Sequence, residues 1–176
     1  QSSTVPALAL LALTAAACAP DVGTGRTAAE VSDGPSSAPA VIADRTIAVD
    51  PDRSRIHALG AKVTGTHDIW FDDWEGSLQL VGEEVAGLVI TIDMNGMRSD
   101  HPVLTEHLKA PDFFSVEEFP TAGFTTTGLV AEAGSDGTTH TVTGDLSLRG
   151  VIKEVRFPAA VKNGAESFEA HTEFVI

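Results

Sequence analysis

The arrangement of this chain is decided by residues 100–121, which read Asp100-His-Pro-Val-Leu-Thr-Glu-His-Leu-Lys-Ala-Pro-Asp-Phe-Phe-Ser-Val-Glu-Glu-Phe-Pro-Thr121. Apolar side chains recur there at helical spacing, whereas the sequence on both sides alternates apolar and polar residues, as half-buried strands do. Pro102 suits the first turn of a helix, and Pro111 ends it because proline disfavours helix in the residue before it. We predict a short helix and an aromatic turn that pack on the end or flank of a β structure.

The flanking sequence predicts antiparallel strands. Residues 85–93 alternate, with Ala86, Leu88, Ile90 and Ile92 on one face, and residues 139–149 alternate almost perfectly. About eight such segments are separated by turn residues, which is typical of an all-β sandwich or barrel. One apolar and one polar face favour antiparallel pairing, and closure into a barrel would remove exposed edges. A barrel of about eight strands either fills with side chains or holds one small ligand.

The composition excludes some partners. The 176 residues contain 25 Asp and Glu against 11 Lys and Arg, which gives a formal net charge of −14. Such an acidic surface repels phosphate groups, so we predict no nucleic-acid partner and no direct attraction to anionic lipid headgroups. Hydrophobic residues make up 43% of the chain, which is enough for a packed core.

The N-terminal segment predicts export. Residues 1–19 contain an apolar run, which is too short to span a bilayer but fits a secretory signal. Three alanines precede Cys18, as at a bacterial lipoprotein cleavage site, where the cysteine receives the lipid. Ala15 stands where lipoproteins usually carry leucine, so an ordinary signal peptide with a chance cysteine is the alternative. A basic region and an initiator methionine are missing, so we expect the sequence to be clipped at its start.

Residues 20–44 are rich in Gly, Ala, Ser, Pro and acids and have no sustained apolar period. This composition predicts a disordered acidic linker that holds the folded domain, residues 45–176, away from a membrane. We therefore expect a periplasmic or membrane-anchored lipoprotein whose only membrane contact is the lipid on Cys18. Whether the protein forms a homodimer is left open by the sequence.

Residues 45–176 resemble the YceI-like family of lipocalin-like antiparallel barrels that bind polyisoprenoid lipids. The resemblance lies in the order and spacing of short motifs over nearly the whole domain. These motifs are Val49-Asp50-Pro51, Ser54, Ile56, Val63-Thr64-Gly65, Gly76, Leu78, Thr91-Ile92-Asp93, His107-Leu108, Pro111-Asp112-Phe113-Phe114, Phe119-Pro120-Thr121, Phe124, Thr143-Gly144-Asp145-Leu146 and Arg149-Gly150-Val151.

The resemblance implies an all-β, antiparallel, lipocalin-like barrel of about eight strands with one short helical insert. It further implies a non-enzymatic protein without a cofactor, which holds an isoprenoid or other amphiphilic lipid inside the barrel. Burial of each methylene contributes about 0.8 kcal/mol, so a long tail needs no catalytic group to bind. The alternative is that the aromatic residues only plug the barrel. The candidate ligand-binding residues are Ile90, Ile92, His107, Leu108, Phe113, Phe114, Phe124, Val142, Leu146 and Phe157.

The chain departs from the family pattern in several places. Leu104 and Thr105 stand where the family commonly has Arg-Asp, so a polar contact of those positions to a lipid headgroup is in doubt. The sequence stops at Ile176, where the family usually continues, and we expect a truncated last strand. The segments 62–67 and 100–102 indicate a variant branch whose ligand differs.

Two other functions stay open. His67, His101 and His107 flank the insert and are metal-ligand types, which would suit a metal-binding or redox accessory protein. Their spacing lacks the close pair of a helical metal motif, so we predict structural histidines and no metal. A filled barrel that binds another protein is the third hypothesis. No nucleophile elbow, phosphate loop or dinucleotide fingerprint occurs, which argues against catalysis.

Overall fold

A computed structural model describes residues 27–39, 41–62, 65–134, 137–163 and 167–175. The signal segment, Cys18 and Ile176 therefore lie outside the described residues. Within the described residues, the chain forms thirteen strands and one α-helix. This helix is too short to cross a membrane.

The helix α1 spans Pro102–Lys109. The strands, in chain order, are β1 Thr27–Ala28, β2 Glu30–Asp33, β3 Arg45–Ala48, β4 Ile56–Lys62, β5 Gly65–Phe71, β6 Trp74–Val81, β7 Glu84–Asp93, β8 Met97–Ser99, β9 Thr121–Ala131, β10 His140–Leu148, β11 Val151–Asn163, β12 Phe168–His171 and β13 Phe174–Val175.

The strands form one large sheet and two small ones. The large sheet has the order β12-β11-β10-β9-β7-β6-β3, and β2 adds to the edge of β11. A second sheet has the order β4-β5-β8, and β1 pairs in parallel with β13. All strand pairs of the first two sheets are antiparallel, which confirms the all-β, antiparallel part of the predicted fold class.

The closed barrel is not confirmed. Among the described strands, β3 and β12 end the large sheet and do not pair with each other. Each has only four residues, and both are largely exposed, so they offer few backbone groups and little apolar area for closure. A seam is therefore left between the two ends of the sheet.

The predicted helix is confirmed, with Pro102 in its first turn and its end just before Pro111. Leu108 is its buried residue, at 4% exposure. Thr105, one of the departures from the family pattern, ties the helix to β8. Its Oγ1 accepts a hydrogen bond from the Ser99 N–H at 2.9 Å.

The prediction of a disordered linker over residues 20–44 is wrong for part of that segment. Strand β2 pairs with β11, and the Glu30 and Asp33 carboxylates face Arg156 and Lys153, with N–O distances of 3.4 and 3.2 Å. The polar composition favoured disorder, but these charges have partners more than a hundred residues away. Composition cannot report such long-range pairing.

The segment after β2 crosses the large sheet. Ser36 donates its backbone N–H to Asp145 Oδ1 of β10 at 2.6 Å. Val41 lies against Gly87 of β7, because a Cβ on that glycine would be 3.5 Å from Val41 Cγ2. Asp44 then donates its backbone N–H to the Leu80 carbonyl of β6 at 2.8 Å. The folded unit therefore begins before residue 45.

Two apolar clusters form the core. The helix-end cluster consists of the buried residues Ile69, Met94, Met97, Leu108, Val116 and Ala122. The terminal-end cluster, beside the two-stranded β1–β13 pair, consists of the buried residues Val142, Val155, Phe157 and Ala159.

Candidate functional site

One row of side chains crosses the apolar face of the large sheet. Ile90 stands opposite Phe124, which stands opposite Leu146. Residues directly opposite in antiparallel strands project from the same face, so these three side chains are neighbours. We call them the central row. All three are half-buried, and Ile90 belongs to neither core cluster.

Glycines let aromatic rings lie flat beside the central row. A Cβ on Gly144 would come within 2.6 Å of both Phe124 Cε2 and the Thr125 carbonyl oxygen, so the ring rests directly on β10. Gly76 stands opposite Ile90, and a Cβ there would lie 3.2 Å from Trp74 Cζ3. The two glycines therefore leave room for neighbouring side chains to pack directly on the strands: Trp74 and Val49 on Gly76, and Phe124 on Gly144.

The sheet face opposite the central row has a different character. Its open groove, of about 400 Å³, is lined by Val89, Ile90, Thr91, Thr121, Ala122, Gly123, Thr125, Asp145, Ser147 and Ile152. Val89, Thr91, Thr125, Asp145 and Ser147 are the sequence neighbours of the central row and therefore project to the other side, where Ile152 stands opposite Ser147. Apolar side chains, hydroxyl groups and a carboxylate all line this groove, and the polar groups would have to lose water to a hydrocarbon tail.

The helix end of the apolar face is filled by side chains. Met94 and Met97 are each 1% exposed, and Leu108 packs beside them from α1. Lys109 donates from Nζ to the Asn95 carbonyl at 2.6 Å, which ties the end of the helix to the turn after β7. This end is therefore closed by dense packing.

The aromatic turn after the helix is held by the Arg-Gly motif. Arg149 donates from Nη2 to the Pro111 carbonyl at 2.8 Å. Gly150 has a φ of +71° and lies against Phe119, since a Cβ on it would be 2.7 Å from Phe119 Cε1. A side chain at position 150 would be strained and crowded. The Arg149-Gly150 motif therefore positions the insert.

The carboxylate of Asp93 caps the short turn that leads to Met94. The backbone N–H and the side-chain amide of Asn95 both donate to Asp93 Oδ1, at 2.9 and 2.8 Å. These hydrogen bonds lower the pKa of the Asp93 carboxyl below its ordinary value, the backbone bond first. The turn thus keeps the charge on the outside while Met94 is buried.

The terminal end is lined by aromatic rings. Phe174 of β13 stacks on Phe157 with ring centroids 4.2 Å apart, and Phe157 lies 5.6 Å from Phe124 of the central row. Phe157 also stands opposite Val142 in the β10–β11 pair. A continuous apolar path therefore connects β13 with the middle of the face.

The ten candidate ligand-binding residues divide among these regions. Four of them lie in or against the terminal-end cluster: Phe124, Val142, Leu146 and Phe157. Three lie in or against the helix-end cluster: Ile92, Leu108 and Phe114. Ile90 lies between the two clusters. The other two residues, His107 and Phe113, lie on the outside of the insert.

His107 and Phe113 do not face the central row. Phe113 is 47% exposed, and its ring contacts the His107 ring at 5.5 Å between centroids. Phe114, the next residue, contacts the Phe113 ring at 5.8 Å between centroids and packs against the helix-end cluster. The sequence could not separate the two phenylalanines, since an irregular turn has no fixed period.

Sequence reasoning missed Trp74 and Phe174. Trp74 stands opposite Ile92 and so faces the same side as the central row. The alternation of Trp74, Gly76 and Leu78 in β6 could have revealed it. Phe174 lies in a two-residue strand, for which no period can be read.

The histidines form pairs with carboxylates. His67 Nδ1 lies 3.0 Å from Asp100 Oδ1, and the rings of His67 and His101 are 6.0 Å apart. His107 lies near Asp112 instead, with 3.8 Å between Nδ1 and Oδ2. In the described part of the chain, no three His, Cys, Asp or Glu side chains are grouped as a metal ion requires. The metal hypothesis gains no support from this geometry.

Antiparallel strands, a helical cover over one end and a half-buried apolar row define a class of β proteins with a candidate apolar ligand face. A sequence profile of the YceI-like domain matches residues 48–176. The chain therefore belongs to the YceI-like family, and the resemblance stated from the sequence is confirmed.

Relatives and a solved structure agree with this assignment. A UPF0312 protein of Photorhabdus laumondii is 34% identical over 87 residues, which cover 48% of this chain and 43% of the relative. A UPF0312 protein of Pectobacterium atrosepticum is 31% identical over 91 residues, covering 51% and 45%. The chain thus matches about half the length of these relatives.

The crystal structure of BcnA from Burkholderia cenocepacia is similar to this fold. Its TM-score is 0.58 at 22% sequence identity, and the match covers 66% of this chain and 74% of BcnA. At this identity the likeness concerns the fold alone.

Proposed function

We propose that this chain is a non-enzymatic binding protein that holds an isoprenoid or similar amphiphilic tail against the central row. The observation that carries the proposal is the half-buried row Ile90, Phe124 and Leu146 on one face of the sheet. Ile90 lies between the two packed clusters, and Phe124 and Leu146 pack against the terminal-end cluster. Family membership supports the same ligand class.

The physical driving force is removal of apolar surface from water. A tail laid along the central row would cover three half-exposed side chains and bury its own methylenes, each worth about 0.8 kcal/mol. Side chains of Val49 and Trp74 fill the space above Gly76, and the Phe124 ring fills the space above Gly144, so the tail would lie on these side chains. A closed barrel, in which β3 and β12 meet, would enclose the tail completely and belongs to this proposal.

Trp74 provides a reporter for the binding test. It faces the proposed tail, whereas Trp70 lies in β5 with Arg98 stacked 4.3 Å from its ring centroid. In a Trp70→Phe variant freed of lipid, titration with geranylgeraniol is expected to shift Trp74 emission to shorter wavelength in a saturable way. A straight-chain alcohol serves as the comparison ligand.

The two possible results separate cleanly. Saturation near one isoprenoid per chain supports the proposal. An unchanged Trp74 spectrum, together with no lipid recovered by native mass spectrometry of protein from a bacterial host, rejects it.

We further propose that the protein is exported and anchored through Cys18, as the apolar run before that cysteine suggests. In a bacterial host, intact mass is expected to give a mature chain that starts at Cys18 and carries diacylglycerol. Cys18→Ser is expected to release the protein from the membrane fraction. Equal membrane retention of both forms would refute the anchor.

A further inference from the structure

We propose that the ligand enters at the terminal end of the apolar face, where β1 and β13 act as a lid, and that the helix end stays shut. This inference rests on the proposed function, since it concerns the route to the central row. The two ends of that face are closed in different ways, and the difference decides which of them opens.

The helix end is closed by buried side chains and by several cross-links. Met94, Met97 and Leu108 are all at most 4% exposed. The links from Lys109 to Asn95 and from Arg149 to Pro111 hold the helix and the aromatic turn in place. Opening this end would expose the most deeply buried methionines to water, which is costly.

The terminal end is closed by very short elements. Strands β1 and β13 have two residues each and pair in parallel. Both residues of β1 are exposed, and the pair is extended by a hydrogen bond from the Ala29 N–H to the Val175 carbonyl at 2.8 Å. Short elements with exposed backbone hydrogen bonds open locally at low cost.

Opening this lid would lead directly to the central row. Phe174 covers Phe157 by ring stacking, and Phe157 adjoins Phe124. Withdrawal of β13 would therefore uncover an apolar path of rings that ends at Ile90.

The neighbouring attachments of the lid are also weak. Strand β2, which follows β1, is exposed at all four residues. Its ion pairs to β11 involve side chains that are about half exposed or more, and such surface pairs contribute little stability. Strands β1 and β2 precede the region 48–176 that the family profile matches.

Two engineered disulfides, each in a Cys18→Ser, Trp70→Phe background, test the proposal. Ala28→Cys with Val175→Cys locks the lid, because these residues are register partners. Ser99→Cys with Thr105→Cys locks the hinge of α1, where the two hydroxyl oxygens are 3.1 Å apart. Trp74 emission after rapid mixing with geranylgeraniol gives the uptake rate of each protein when oxidised and when reduced.

The lid lock is expected to slow uptake by about tenfold or more when oxidised and to be reversed by reduction, since gated entry limits the rate. The helix lock, when oxidised, is expected to leave the rate of geranylgeraniol uptake within about twofold of the rate of the reduced protein. Slower uptake with the helix lock, or no effect of the lid lock, would overturn the proposal. Failure of the reduced proteins to take up isoprenoid would reject the proposed function itself.

Amide hydrogen exchange gives a readout that needs no ligand. The Ala29 amide, bonded to Val175, is expected to exchange much faster than the Phe114 amide, bonded to the Leu108 carbonyl at 3.0 Å. Equal protection of the two amides would contradict a lid at the terminal end whether or not isoprenoid binds.

Discussion

Ile90→Glu is expected to weaken geranylgeraniol binding by about a hundredfold or more, which corresponds to about 2.7 kcal/mol. Ile90 is the end of the central row that lies on β7, and it belongs to neither core cluster. A carboxylate there stays hydrated in the empty protein, but a bound tail would strip its water without offering a hydrogen bond. We therefore expect Ile90→Glu to lower the affinity for geranylgeraniol far more than it lowers the free energy of unfolding.

Thr91→Glu is the matched control. Thr91 is the next residue of β7, is exposed, and projects from the opposite face. The Thr91→Glu substitution adds the same charge to the same strand but away from the central row. We therefore expect its affinity for geranylgeraniol to stay within about twofold of that of the Trp70→Phe protein. The Trp74 titration measures both variants. Equal loss of affinity in the two would mean that the charge acts through the strand and not through the central row.

Leu108→Ala is expected to reduce the free energy of unfolding by about 2–5 kcal/mol. Leu108 is 4% exposed and packs beside Met94 and Met97, so its removal leaves a cavity in the helix-end cluster. The size of the effect depends on how far those methionines can relax into the space. Urea unfolding followed by circular dichroism measures the change.

Val103→Ala on the same helix provides the comparison. Val103 is 83% exposed, and we expect a change within about 0.5 kcal/mol. If Leu108→Ala reduces the free energy of unfolding by no more than Val103→Ala does, α1 is not part of the core. In that case the helix end would be a better entrance than the terminal end.

Local patterns in the sequence predicted the elements of this fold. The helix Pro102–Lys109 followed from two prolines and helical spacing, and the alternation of β7, β9 and β10 followed from period-two patterning. These signals work because each depends only on nearby residues. The family match over residues 48–176 agrees with the order of the motifs.

Features that depend on distant partners were not predictable. The segment that contains β2 has a linker composition, yet Glu30 finds Arg156 on β11. Closure of the barrel depends on whether β3 and β12 meet, which no periodicity reports. The different exposure of Phe113 and Phe114 depends on how the aromatic turn docks on the helix-end cluster.

The candidate site was predicted in part. The strand residues Ile90, Phe124 and Leu146 share one face, as their alternation indicated. Their place in a single row depends on register between strands, which the sequence does not encode locally. The packing of the Phe124 ring on Gly144 is likewise a contact between neighbouring strands, which the local sequence does not predict.

The most direct test of the central claim is to map where an isoprenoid lies on the protein. Photo-crosslinking with a diazirine derivative of geranylgeraniol, followed by peptide mass spectrometry, identifies the labelled residues. We expect label on Ile90, Phe124 and Leu146, and competition by unmodified geranylgeraniol. Label confined to Val89, Thr91 and Thr125 on the opposite face, or label that competitor does not displace, would contradict the account.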